Sequence, residues 1–322
     1  MVKAIRIQQV GGPEVMQVAQ VEVGAPGPGE ARVRHEAIGV NYVDTYHRSG
    51  LYPLPLPTGL GVEAAGVVEA VGAGVTVVRP GDRVAYMAGP GAYAEARLLP
   101  ADRLVKVPDG VSSELAAAAL AKGLTAHMLV TRVHQVAAGE PVVVTAAAGG
   151  VGQLLVQWLA SIGARVIGVV GSAEKVERVR ALGAELVLVS ATDDVAGRVR
   201  AHTGGGVPVV YDSVGAASFE SSLDCLAPFG LMVTYGNASG PVPPVDTGLL
   251  SRKGSLAVCR PTVFHHIASR SDLERAAAAL FALLGTGRIR VAVGGRWPLA
   301  QAAEAHRALQ SRATTGSLLL LP

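Results

Sequence analysis

The chain is poor in cysteine, asparagine, lysine and aromatic side chains. Only Cys225 and Cys259 occur among its 322 residues, too few for a disulfide framework, which predicts a protein of a reducing, cytoplasmic compartment. Asn41 and Asn237 are the sole asparagines, and Lys supplies five of the 28 cationic side chains. Few deamidation-prone groups beside an excess of Arg suit a heat-stable protein, and equally a biased genomic base composition. The formal charge of +3 is spread along the chain with no cationic run, which argues against a nucleic-acid partner. MVKAIRIQQV at the start has no cationic, long-apolar character, so no targeting segment is expected. The sequence also contains no G-x-S-x-G elbow, no H-E-x-x-H helix and no G-K-[ST] loop, and no lysine has a tyrosine four residues before it. Hydrolase, metalloprotease, kinase-like and Tyr-x-x-x-Lys reductase chemistries are thereby excluded.

What is abundant is glycine, 40 residues, in a chain that is 50% hydrophobic. The most informative stretch is VVVTAAAGGVG at 142–152, an apolar run of strand character that breaks into glycines and continues as the helix-like QLLVQWLASIG. Strand, glycine turn and helix in that order form the local architecture that holds a dinucleotide pyrophosphate, with backbone N–H groups at the helix start facing the anion. As A-x-x-G-x-x-G the pattern falls on Ala146, Gly149 and Gly152. The alternative is a glycine-rich turn that merely packs tightly. The next strand, ARVIGVV, ends where an NAD-specific fold places an acid for the ribose 2'-hydroxyl, and here that position is Gly171, followed by Ser172, Lys175 and Arg178. A missing carboxylate with nearby hydroxyl and cationic groups favours a 2'-phosphate, hence NADPH over NADH. Residues 141–160 are uncharged for the length of a membrane span, yet their Gly-Gly pair, Thr145, Gln153 and Gln157 fit a buried strand and helix instead.

Strand-like ELVLVS, VPVVYDSVG, GLMVTYG and SLAVC follow, with helical stretches between several of them. The alternation predicts an α/β, doubly wound parallel sheet with ligands at the carboxyl ends of its strands, near Asp212, Ser213, Gly236, Asn237 and Arg260. For Asp212 and Ser213 plain turn chemistry is an equal reading. Residues 1–107 differ: KAIRIQQV, EARVRHEAIGV, EAAGVVEAVG and GDRVAYMA read as short strands separated by Pro- and Gly-rich turns. A helix begins near Ser112 or Ser113, either a suitable cap. After residue 264 an Ala- and Leu-rich helix, IRVAVGGRWPL, another helix and GSLLLLP return to the mixed character of the start. The expected organisation is a β-rich catalytic domain from residues 1–113 and 264–322, into which a Rossmann cofactor domain of residues 114–263 is inserted.

The segments GGPEVMQV, IGVNYVDTYHRSGLYP, GLGVEAAGVVEAVG, GDRVAY, AAAGGVG, YDSVG, SLDCL, GLMVTYGNASGP and SRATTGSLLL run through the chain in order. Together they resemble the quinone oxidoreductase (zeta-crystallin-like) branch of the medium-chain dehydrogenase/reductase superfamily, over essentially the full length. The resemblance implies a GroES-like β domain with a Rossmann domain, NADPH as hydride donor and a homodimer. Zinc-dependent members of that superfamily carry an early Cys, a Gly-His-Glu segment and a later Cys; here those regions read NYVDTYHRSG and Gly61-Val62-Glu63, and neither cysteine lies in the β domain. No zinc is expected, because such a site requires thiolate and imidazole ligands, although Glu63 and His47 remain nearby.

By the same resemblance Asn41, Tyr46 and Thr125 belong near the nicotinamide, and Gly149, Gly150, Val151 and Gly152 at the pyrophosphate. The resemblance also puts Gly171 and Lys175 at the adenosine ribose phosphate, Asn237 near the nicotinamide end and Arg312 near the cofactor phosphates, while Ser172 beside Gly171, and Gly236 and Arg260 at the strand ends, are cofactor neighbours by position alone. Close relatives have a Tyr beside the adenosine phosphate where this chain has Ser190, which offers a shorter hydroxyl. Catalytic candidates are Asn41, Tyr46 and Tyr52; Tyr52 aligns with a proton-donating tyrosine of enoyl-thioester reductases, and either ring could equally be a pocket wall. Asp44 is read as positioning Tyr46 or as a turn cap. The expected substrate is a small quinone, with enones or enoyl thioesters as the alternative. A non-enzymatic role, as a crystallin or RNA binder, is the third reading.

Overall fold

The computed structural model describes every residue except Arg312 and Ala313. It divides into two compact units, one of Met1–Lys122, Ser269–Gly285 and Val291–Pro322, the other of Gly123–Ala268 and Thr286–Arg290. The first division falls at Lys122, inside the helix Ser113–Met128, where the sequence reading placed it at residue 113. Hydrogen bonds explain the difference: Ala121 N–H donates to Glu63, and Ser317 Oγ to the Ala118 carbonyl, so the first turns of this helix are tied to the β-rich unit. Ser112 caps the helix by accepting from Leu115 N–H at 3.1 Å.

In the β-rich unit the strand Glu30–Val40 is the hub. It pairs antiparallel with Glu63–Val71, Ala96–Pro100 and Ser317–Leu321. Its side chains alternate as a half-buried strand should, with Ala31, Val33, His35 and Ala37 inward and Arg34 and Glu36 outward. From Ala37 to Val40 every residue is buried, because both faces are covered where the strand approaches Glu63. Ile5, Ile38, Leu60, Val84, Tyr86, Leu99, Leu318 and Leu320 belong to one core cluster, uniting segments from both ends of the sequence. A short helix, Tyr42–Ser49, follows the hub strand; at eight residues it is too brief for an apolar period to announce it.

The second unit holds a six-stranded parallel sheet in the order Leu186–Val189, Arg165–Val170, Pro141–Val144, Val207–Asp212, Leu226–Thr234, Ala257–Cys259. The chain runs outward from Pro141–Val144 through two strands, then crosses back to start Val207–Asp212 on the other side. That reversal is the switch point at which open α/β sheets bind ligand. Because all six strands are parallel, residues following each emerge at one edge. This is the GroES-like plus Rossmann-like α/β architecture the sequence indicated. No described helix is long and apolar enough to cross a membrane.

Gly66 shows how tightly the hub strand is packed. A Cβ there would lie 1.9 Å from the Arg34 carbonyl oxygen, a backbone atom that cannot step aside. Gly66→Ala is expected to destabilise the protein by about 3 kcal/mol, read as a lowered urea midpoint.

Candidate active site

In the β-rich unit the sequence-nominated Asn41, Tyr46 and Tyr52 do come together, on and just after the helix Tyr42–Ser49. Asn41 is the helix N-cap, extended at φ −129° and ψ 155°, and its backbone N–H donates to Asp44 Oδ2 at 2.8 Å. Tyr46 is buried, Tyr52 half-exposed, and their rings meet edge-to-face with centroids 5.2 Å apart. Tyr52 N–H donates to the Tyr46 carbonyl at 3.1 Å, which fixes the loop after the helix against its last turns.

Beneath them lies a set of polar groups of which the sequence reading had noticed only Asp44 and Glu63. Glu63 is fully buried. Its Oε1 accepts from Ala121 N–H at 2.5 Å, and its Oε2 from Asn41 Nδ2 at 2.9 Å and Lys122 Nζ at 3.2 Å. Asp44 is equally buried, and it accepts from the Tyr93 hydroxyl at 3.0 Å. Arg48 can only donate, so its 3.0 Å bond to His306 Nδ1 makes that nitrogen the acceptor. Burial, assisted by Arg48, pushes His306 down to about 3, so the ring is neutral with its proton on Nε2, 2.9 Å from the Tyr93 oxygen. The Tyr93 proton is then directed to Asp44, and the chain of bonds has a single polarity.

Burial raises Asp44 to about 7; the donors Asn41 N–H and Tyr93 oppose the shift, Glu63 adds to it and Lys122 offsets it. A signal for Lys122 did exist in the sequence, a lone cation inside the apolar run AAAALAKGL, since a buried ammonium demands a carboxylate. Nothing comparable marks Tyr93 or His306, whose partners are distant in sequence.

In the second unit the glycine turn is built as the motif requires. Gly149 is the N-cap of the helix Gly150–Ile162, which sets Gly150, Val151 and Gly152 in the first turn, where N–H groups have no helical acceptor. A Cβ on Gly152 would lie 2.3 Å from the Ala146 carbonyl oxygen, so only glycine lets the helix sit this close to the turn. Ala146 itself is left-handed at φ +46°.

Gly171 ends the strand Arg165–Val170 with open space where a side chain would be. Ser190 N–H donates to the Val170 carbonyl at 2.8 Å, so Ser190 lies beside it. Ser172 caps the turn Ala173–Lys175, and Arg178 donates to Gln153 Oε1 at 3.1 Å. Gly171, Ser172, Lys175 and Ser190 thus form one corner of the sheet edge, with no acid at position 171, while Glu174 lies within the same turn as Lys175. An anionic phosphate suits this corner, and the phosphorylated dinucleotide fits the residues present.

Gly236, Asn237 and Arg260 follow the last two strands of the sheet. Arg260 Nη1 donates to the carbonyls of Thr234 and Gly236 at 3.1 and 2.9 Å, bracing the turn that carries Asn237. Asp212 proves to be turn chemistry: fully buried, it accepts from Val214 N–H, Gly215 N–H, Ser218 Oγ and Ser222 Oγ. Thr125 is half-exposed on the helix Ser113–Met128. Arg312 lies outside the described residues.

Two family models match the chain: "Alcohol dehydrogenase GroES-like domain" over residues 27–109 and "Zinc-binding dehydrogenase" over residues 150–282. The quinone oxidoreductase of Pseudomonas aeruginosa is 49% identical over the whole of both chains. The structure of Escherichia coli quinone oxidoreductase complexed with NADPH superposes with a TM-score of 0.98 at 44% identity, covering 99% of this chain and all of that one. A 2-haloacrylate reductase from Burkholderia is 43% identical over 100% of this chain and 99% of its own.

The second model's name speaks of zinc, and the residues here do not fit that ion. Both Glu63 oxygens are engaged, one by an ammonium, and Asn41 and Tyr46 supply neither thiolate nor imidazole. Among the described residues no three His, Cys, Asp or Glu side chains gather as a metal site.

Two stability predictions follow from this geometry. Asp44 is raised from 3.8 to about 7, so its protonated form is favoured in the fold; its stabilising contribution is complete below its unfolded value and lost as pH rises through about 7. Asp44→Asn should therefore gain stability relative to the parent as pH climbs from 4 to 7, with a constant difference outside that window, in paired thermal melts. Ala146→Gly should raise the melting temperature by relieving about 1 kcal/mol of left-handed strain; an unchanged or lowered melt would contradict the strain.

Proposed function

The chain belongs to the zinc-free quinone oxidoreductase branch of the medium-chain dehydrogenase/reductase family, and from that premise we propose how its own residues carry out NADPH-dependent reduction of quinones. One observation carries the reading: the sheet edge that would seat the adenosine ribose has Gly171 where an acid would select NADH, with Lys175 in the turn that follows. The bound NADPH supplies a hydride to an electron-poor acceptor. Gly149, Gly150, Val151 and Gly152 hold the pyrophosphate through backbone N–H groups at the helix start. Gly171, Ser172, Lys175 and Ser190 receive the 2'-phosphate; the Ser190 hydroxyl is a shorter reach than a tyrosine, so Lys175 takes the larger share. Gly236, Asn237 and Arg260 line the strand ends beside the cofactor, Arg312 its phosphates, and Thr125 and Asn41 its nicotinamide.

Tyr46 and Tyr52 present aromatic faces and hydroxyls to the acceptor. A quinone needs no Lewis acid to accept hydride; holding it against the nicotinamide is the larger part of catalysis. The reduced oxygen takes a proton, for which the half-exposed Tyr52 is the better placed of the two hydroxyls. The same arrangement suits an activated carbon–carbon double bond, and the relationship to a 2-haloacrylate reductase favours enones or enoyl thioesters as the second reading. The protein works in the cytoplasm as a homodimer. Supporting the dimer, the strand Ala257–Cys259 forms the outer edge of the parallel sheet, and such an edge is a template for a second copy. Exposed Phe229, whose N–H donates to the Gly254 carbonyl, adds apolar surface.

Steady-state oxidation of NADPH and NADH against p-quinones, 2-alkenals and crotonyl thioesters tests the function; turnover of quinones with NADPH, unaffected by a chelator, is expected, and failure on every quinone overturns the first reading. Lys175→Ala should raise the KM for NADPH about tenfold and leave that for NADH nearly unchanged. Asn41→Ala should lower kcat by roughly tenfold or more.

A further inference from the structure

We propose that Glu63 and Lys122 are positioning residues for Asn41, gripping its carboxamide from below so that it meets the reacting groups in a single pose. A carboxylate only accepts hydrogen bonds, so the amide edge facing Glu63 must be Nδ2, as the 2.9 Å contact has it. Glu63 is itself immobilised, by the Ala121 N–H on one oxygen and by Lys122 on the other.

Gly39 makes the niche. A Cβ at that position would lie 2.3 Å from Glu63 Oε2 and 2.6 Å from the Ala117 carbonyl, so the fold gives up a side chain on its hub strand to seat this carboxylate. Asp44 holds the same residue by its backbone N–H, which leaves Asn41 gripped at main chain and side chain by two acids, one of them paired with the Lys122 ammonium.

Mere cohesion between strand and helix does not require this set. Buried ion pairs seldom stabilise more than apolar residues of the same volume, and an apolar pair would join the elements equally well. A carboxylate, which only accepts, distinguishes the nitrogen of an amide from its oxygen where an apolar pair cannot, and that distinction matters where the amide faces a reacting molecule. The inference rests on the reading of Asn41 as a nicotinamide-facing residue.

The test uses Glu63→Gln, Lys122→Met and Lys122→Arg in the full chain, assayed well below each melting temperature. Gln offers Asn41 either end of an amide, and Met leaves the carboxylate without its cation. For both E63Q and K122M, kcat with NADPH and a p-quinone should fall about tenfold to a hundredfold, while the KM for NADPH moves less than about threefold; K122R should recover much of the loss.

A second readout separates positioning from general loosening. The groups facing Asp44 are the Asn41 N–H, the Tyr93 hydroxyl, Glu63 and Lys122, with His306 behind Tyr93. Asp44 holds the Asn41 N–H and is raised to about 7, so kcat is expected to inflect near neutral pH; Glu63 raises the Asp44 value and Lys122 lowers it, so that inflection should move to lower pH in E63Q and to higher pH in K122M. Parental kcat in both variants, an inflection displaced in the same direction in both, or a parental profile flat from pH 6 to 8 would each overturn the inference. Full activity of Asn41→Ala would instead overturn the reading of Asn41; an impaired Asn41→Ala beside a fully active E63Q would leave that reading and remove this one.

Discussion

A carboxylate cut off from water must find donors for both oxygens, and the β-rich unit is arranged around that demand at Glu63. The three donors come from two places in the sequence: Asn41, the residue after the hub strand, and the Ala121 backbone and Lys122 side chain of a helix 58 and 59 positions beyond Glu63. Satisfying them fixes where the helix Ser113–Met128 meets the sheet, why Gly39 has no side chain, and how Asn41 enters its helix. Asp44 is raised to about 7 chiefly by its own burial, and the charge of Glu63 adds to the shift. The polar relay through Tyr93, His306 and Arg48 then anchors the short helix to a segment from the far end of the sequence.

The Rossmann unit solves the opposite problem. In the proposed function the charge to be held is on the ligand, and uncharged backbone at a helix start meets it rather than a buried ion. What it must provide is proximity, and Gly152 supplies that by letting the helix lie against the turn. In the same proposal, selection between cofactors falls to one corner of the sheet edge, where an absent acid at position 171 matters as much as a present lysine. Ala146 in a left-handed conformation is the local strain that this close approach entails.

These two solutions differ in how far they can be read from sequence. The glycine turn, the parallel strands and the missing acid at Gly171 are local patterns, and each lies within a few residues of its structural consequence. Strand alternation in Glu30–Val40 is local too, and its bounds are those the sequence suggested. The short helix after Asn41 escaped because eight residues show barely two turns of periodicity. The Glu63 and Tyr93 networks escaped because their long-range partners lie 22 to 258 residues apart, and nothing in one segment specifies a partner so remote. Even so, an isolated lysine in an alanine helix is a local anomaly that marks Lys122, and it was missed. The division between units moved for a related reason, since hydrogen bonds to Glu63 and Ser317 claim part of a helix that looks continuous in sequence.

The pairing of Glu30–Val40 with Ser317–Leu321, in which Val40 faces Leu318 and Ile38 faces Leu320, carries a consequence for biosynthesis. On the ribosome the first of these strands emerges hundreds of residues before the second. Throughout that interval the Ile38 flank presents unpaired amides and bare aliphatic surface to its surroundings, while the parallel sheet between them has its full complement of strands and can close. Vectorial synthesis therefore completes the nucleotide-holding half first and leaves the catalytic half exposed to misassociation until its last strand arrives.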